Sequence, residues 1–273
     1  KGSGPAPSVI TMSNCNIEDK DGAYLIEALA LNSSITYLDL SRNQLGAGAG
    51  AWCRDQACPA TMHSEISATA KLAKLLNKST PAQVHTLNLS YNNLSSRHFQ
   101  LMASSLKHNK TLQRLDLSWN SCGDEGAMAL ADALRPNKAL LTLDLTRTAI
   151  GERGAMVIAD VLKENQGLEE VKLDENPVGQ RGGRAILRAL RKMLQYGWTR
   201  KISVTRSNFQ LVDASKHGTT RWHWVADPRS QDFDGDGTTR KTLQYLLRPT
   251  HMEYLCVEFV CKYLCVFYIH IVR

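Results

Sequence analysis

The chain has 273 residues, 43% of them hydrophobic, which is enough for one sizeable core. Its formal net charge is +7, yet eight basic residues and no acidic one lie between Asn176 and Val212, so +7 less that +8 leaves about −1 for the rest. That excludes an evenly basic nucleic-acid binder and describes one local basic face. The seven Cys form no evenly spaced framework, which argues against a secreted disulfide scaffold and for a reducing, cytoplasmic setting, with cilium or nucleus left open.

Residues 1–8 read as a flexible leader, too polar and too short for a signal peptide. From Ile10 a unit of strand period followed by helix period begins, and it recurs. Its clearest copy is Leu112–Leu134, LQRLDLSWNSCGDEGAMALADAL. Counting from the anchor Leu115, apolar residues stand at +2, +7, +15 and +19, an Asn at +5 and a Gly at +11. The same register is found from Ile10, Leu38, Leu87, Leu143 and Val171, and a partial seventh copy starts at Ile202. No polar capping repeat precedes Ile10, so either more protein lies upstream or something covers that end.

The spacing LxxLxLxxNxLxxxGxxxLxxxL, with a period near 28 residues, resembles the ribonuclease-inhibitor type of leucine-rich repeat over roughly residues 9–206. The resemblance implies an α/β fold: a right-handed β-α solenoid, shaped as a horseshoe arc, with a parallel concave sheet and convex helices, built from about six repeats plus a partial seventh. A lone repeat cannot bury its apolar face, so stability must come from stacking. The +5 Asn suits a buried turn because its amide pairs with backbone groups of adjacent repeats. Cys15 and Thr148 replace it in two copies. The +11 Gly admits either unusual backbone angles or close packing.

The second repeat is interrupted at about residues 46–66, where the anchors Leu38 and Leu87 stand 49 apart. Cys53, Cys58 and His63 there are three possible ligands with spacing unsuited to zinc, and they read as part of a surface loop. The residues between the core positions of each strand are expected on the concave surface. The +1 row includes Asp116, Asp144 and Lys172, and the +4 row includes Arg42, Tyr91, Trp119, Arg147 and Glu175. The +3 row is small (Ser41, Ser90, Ser118, Thr146) and leaves room for a partner. Trp, Tyr and Arg together have the composition of an interaction hot spot, so these eight residues are the candidate partner-binding site.

The last full helix places Arg181, Arg184, Arg188 and Arg191 on one stripe opposite its core-facing side. Such a stripe suits an acidic surface, or simply solvent; without aromatic interleaving, nucleic acid is not expected. Residues 207–251 lose the repeat and read as an irregular extension. DFDGDG places Asp232, Asp234 and Asp236 like the start of a calcium loop, but Leu243 stands where a bidentate Glu belongs. The hydrophobic tail, 252–273, admits a helix over the solenoid end, a disfavoured membrane span interrupted by Glu258 and Lys262, or a stretch that is not genuine coding sequence.

The eight His are scattered, and no nucleophile elbow, phosphate loop or metal quartet is present in the sequence. The expectation is therefore a non-catalytic protein-binding scaffold without a cofactor. The repeat type leaves two alternatives. One is a GTPase-activating protein similar to the Ran activators, although the strongly acidic tail typical of those is missing from this sequence. The other is the sensing or scaffold part of a larger receptor or ciliary assembly.

Overall fold

The computed structural model describes residues 8–47, 67–77, 81–195, 201–204, 207, 209–213, 222–226, 255–257 and 268–271. The Cys53, Cys58 and His63 loop and the Asp232, Asp234 and Asp236 run lie outside them. Strands and helices alternate: β1 (Val9–Thr11), α1 (Asp19–Leu29), β2 (Tyr37–Asp39), α2 (Ala68–Leu75), β3 (Thr86–Asn88), α3 (Ser96–Leu106), β4 (Arg114–Asp116), α4 (Gly123–Leu134), β5 (Thr142–Asp144), α5 (Glu152–Leu162), β6 (Glu170–Lys172), α6 (Gly179–Gln195) and β7 (Lys201–Ser203). Strands β1 to β7 pair in parallel in chain order, and the register sets Leu38, Leu87, Leu115, Leu143, Val171 and Ile202 opposite one another. The fold is the leucine-rich-repeat solenoid that the spacing predicts.

The core forms between the sheet and the helices. Leu115 in β4 and Leu117 just after it face inward and are buried, and Leu130 and Leu134 of α4 close over them. Repeat two keeps this register across its insertion. α2 occupies the helix slot between α1 and α3, with Leu72, Leu75 and Leu76 buried. The +11 glycines serve close packing rather than unusual angles. A Cβ on Gly154 would lie 2.9 Å from the Ala127 Cβ, and one on Gly182 would lie 2.8 Å from the Ala155 Cβ.

Two rows of Asn tie repeat to repeat. Asn120 Nδ2 donates to the Leu89 carbonyl of the previous unit (3.0 Å), and its Oδ1 accepts from the Asn92 and Leu94 amides (3.1 and 2.9 Å). Asn43, Asn92 and Asn176 make the equivalent back-reaching bonds to Met12, Leu40 and Leu145. Thr148 is shorter, and its hydroxyl donates to the Leu145 carbonyl of its own repeat (2.7 Å), with Asn176 Oδ1 of the next repeat 3.3 Å away. Cys15, expected as a core group, is exposed: the +5 side chain reaches towards a preceding repeat, and none stands there among the described residues. Cys122 is buried, which pushes its thiol far above the usual range.

The second Asn row was not anticipated from the sequence. Asn109, Asn137 and Asn165, six residues before an anchor, donate to Leu76, Leu106 and Leu134 at the ends of the preceding helices. Helix N-termini are also served from the previous repeat. Asp19 Oδ1 accepts from Ala68 N (2.8 Å), Asp124 Oδ1 from Gly151 N and Gly154 N (2.7 and 2.9 Å), and Glu152 Oε1 from Arg181 N (2.5 Å). A carboxylate there satisfies free amides and opposes the positive end of the helix dipole.

Beyond β7 the chain leaves the repeat pattern. The extension holds an antiparallel pair, β8 (Phe209–Asp213) and β9 (Trp222–Ala226), lying beside α6. In the tail, β11 (Tyr268–Ile271) pairs antiparallel with β7, and β10 (Leu255–Val257) with β11. The described tail residues thus form strands, not the capping or spanning helix considered from the sequence. Their aromatic and β-branched character suits strands, and the β7 edge presents backbone groups that need partners. Among the described residues no helix is long and apolar enough to cross a membrane.

Candidate functional site

Each strand ends at +1, and the chain then turns sharply. Asp116 Oδ1 accepts from Ser118 N (2.9 Å), and Asp39, Asn88 and Asp144 do the same for Ser41, Ser90 and Thr146. The +1 Asp and Asn therefore hold the turn as well as facing the concave side. The +3 serines Ser41, Ser90 and Ser118 are buried beneath it, so they do not form the open floor that their small size suggests.

The +4 residue follows in a left-handed backbone conformation in six repeats: Asn14, Arg42, Tyr91, Trp119, Arg147 and Glu175 all have φ between 53° and 58°. Among these only Asn tolerates that region well; for the others the conformation costs on the order of 1 kcal/mol each. The turn also moves the row. The +4 residues lie just past the strand ends, in the turns that lead on towards the helices.

There they stack on one another. The Tyr91 and Trp119 rings lie 4.5 Å apart at 15°. The Arg42 guanidinium sits 5.1 Å over the free face of Tyr91, and Arg147 sits 4.0 Å over the free face of Trp119. Arg147 continues to Glu175 at 3.6 Å. Five residues from five repeats thus form one ladder, with both faces of both rings occupied and their edges turned outward. Tyr91 remains 38% exposed despite its two neighbours.

The +1 row runs beside the ladder on the sheet. Lys172 Nζ bonds Asp144 Oδ2 at 2.9 Å. Burial pulls Lys172 down, but the hydrogen bond and charge of Asp144, with Glu170 and Asp116, outweigh it and raise it. Asp116 is half-buried, and desolvation lifts it above the usual carboxylate range against the hydrogen bonds from Ser118. The structure therefore brings all eight candidate residues into two adjacent rows spanning β2 to β6.

The basic helix does not present four equivalent arginines. Arg181 and Arg188 are exposed, but Arg184 is half-buried, with its Nε buried and without a hydrogen-bond partner; the Arg191 side chain lies outside the described residues. Gly182, on the same helix, lets α6 pack closely on α5. Among the described residues no three His, Cys, Asp or Glu side chains gather as a metal site.

Sequence reasoning missed the left-handed backbone and the mutual stacking. The signal for the stack was the 28-residue spacing that puts Tyr91, Trp119 and Arg147 at one repeat position.

A leucine-rich-repeat family model matches residues 31–50, 108–131 and 137–159. Among solved structures, the chain is similar to leiomodin-1 actin-binding site 2, at 20% identity and a TM-score of 0.42, over 65% of this chain and 92% of that one. A search of curated proteins finds no match. The matched segments and the parallel strand–helix register agree: this chain carries leucine-rich repeats and is built as a solenoid of them.

Proposed function

We propose that this protein is a non-catalytic interaction module that holds a partner protein against its concave strand face and the adjoining rim, centred on Tyr91 and Trp119. The observation that carries this reading is the Arg42–Tyr91–Trp119–Arg147–Glu175 ladder. Large side chains are set at left-handed positions where Asn or Gly would be easier to accommodate, and they are locked against one another. Side chains already immobilised lose little entropy on binding, typically saving about 0.5–1.5 kcal/mol for each one that need not be ordered. Aromatic edges beside guanidinium groups and carboxylates also match the composition of interaction hot spots.

The test is capture of binding proteins by wild type and by a Tyr91→Ala/Trp119→Ala double variant, after circular dichroism shows that both are folded. Proteins enriched by the wild type are expected to be lost by the variant. Equal recovery on both would remove the aromatic pair from the binding site.

A further inference from the structure

The first repeat leaves one edge of the sheet open. In the second repeat the first strand amide donates to the chain before it, and the last strand carbonyl accepts from it. Tyr37 N bonds Ser8 O at 3.0 Å, and Asp39 O accepts from Met12 N at 2.8 Å. The same two groups in β1, Val9 N and Thr11 O, face outward, because among the described residues β1 pairs with β2 alone. Apolar side chains collect at this end: Val9, Tyr24 and Leu31 are 57%, 60% and 80% exposed. The core positions Ile10 and Met12 are only partly buried, whereas Leu38 and Leu40 one repeat on are fully buried. Outward backbone groups beside apolar surface form a template for another strand. At the far end of the repeats β11 takes the β7 edge in the antiparallel sense, so this sheet accepts a neighbour of that direction.

We infer that a second copy of this chain covers β1, the two strands running antiparallel about a twofold axis at Ile10. Val9 N and Thr11 O lie on either side of Ile10, so the edge is complementary to itself when one copy is turned round. Each Val9 N donates to Thr11 O of the other copy, and the two sheets become one. The same axis lays the two α1 helices antiparallel on one side of the joined sheet, with Tyr24 of each over the apolar end of the other. The acidic first turns, with Asp19 and Asp21, then point to opposite ends and do not meet. A twofold contact uses up both β1 edges, so assembly stops at the dimer.

The experiment is sedimentation equilibrium of the full chain over a wide range of concentration, with reductant present so that the exposed Cys15 cannot link copies. Wild type is expected to approach twice the chain mass when concentrated and the chain mass when dilute. Val9→Pro removes the outward amide at the first residue of an edge strand, where Pro is tolerated. It should weaken the dimer about tenfold or more, because two backbone bonds are lost per dimer. Val9→Thr keeps the amide and should associate like wild type. Tyr24→Lys, at an exposed position, brings two ammonium groups into the contact and should leave a monomer with unchanged circular dichroism. Met128→Lys, at an exposed position on α4, is the control and should not alter the mass. A monomer at every concentration, a dimer as tight in Tyr24→Lys or in folded Val9→Pro as in wild type, or one abolished by Met128→Lys would each overturn the inference.

Discussion

Asn120 and Trp119 are neighbours in the chain and opposites in the fold. Asn120 points inward, and its amide bonds three carbonyls and two backbone amides across two repeats. Trp119 points outward and contacts mainly the side chains above and below it in the stack. Both rows are ladders with the same period, yet the inner one is set by hydrogen-bond chemistry and the outer one only by which side chains meet. An inner position accepts few residue types because each buried polar group needs its partner. An outer position accepts many, so what stands there says more about what the surface meets.

The sharpest way to break the comparison is Asn120→Ala. It leaves the Asn92 and Leu94 amides without their side-chain partner, at roughly 1–3 kcal/mol for each buried group left unsatisfied, while the Leu89 carbonyl keeps only its bond from Asn92 Nδ2. Urea unfolding should show a loss of about 3–5 kcal/mol, with Asn120→Thr falling between, since Thr148 keeps part of the same network one repeat on. A loss no larger than that of an outer-row variant would erase the distinction.

The outer row should behave differently. Trp119→Ala gives up the ring stack and the cation contact, about 1–2 kcal/mol together. Trp119→Gly should then be more stable than Trp119→Ala by on the order of 1 kcal/mol, the reverse of the usual order, because φ is 58° there. If Ala is the more stable of the two, the backbone strain assigned to this row is absent.

The smallest effect concerns the buried His98 at the start of α3, whose Nδ1 accepts from Ser95 N at 2.9 Å and so carries no proton. Burial, helped by Arg97, lowers its proton affinity below the ordinary value near 6.5. The unfolded chain therefore takes up this proton first as pH falls. The stability held by neutral His98 is complete above about pH 6.5 and drains away as pH drops through that value towards the lower folded one. His98→Gln, which keeps an N-cap acceptor, should flatten this acid slope when urea midpoints at neutral and mildly acidic pH are compared.

The repeat was legible because its buried residues obey a strict spacing. Leu115, Leu117, Leu130 and Leu134 declare strand and helix without any knowledge of neighbours, and the +5 Asn declares the turn. The candidate site was legible only as a set of positions. The sequence named Tyr91, Trp119, Arg147 and Glu175 as neighbours on the concave surface, but not the face-to-face contacts between them. Nothing in one repeat says that the next side chain will cover a ring. The second Asn row and the carboxylates that cap the following helix share the same period, yet they went unread because their partners are backbone groups of another repeat.

The sequence by itself determined the solenoid, its register and the inner Asn chemistry, since periodic burial and hydrogen bonding are local demands that every unit repeats. Tertiary stacking alone decided the rest. It made the +4 residues each other's partners, set Lys172 against Asp144, and drew the tail strands onto the β7 edge. Those outcomes depend on which side chains stand one strand apart, a distance that exists only once the repeats have stacked.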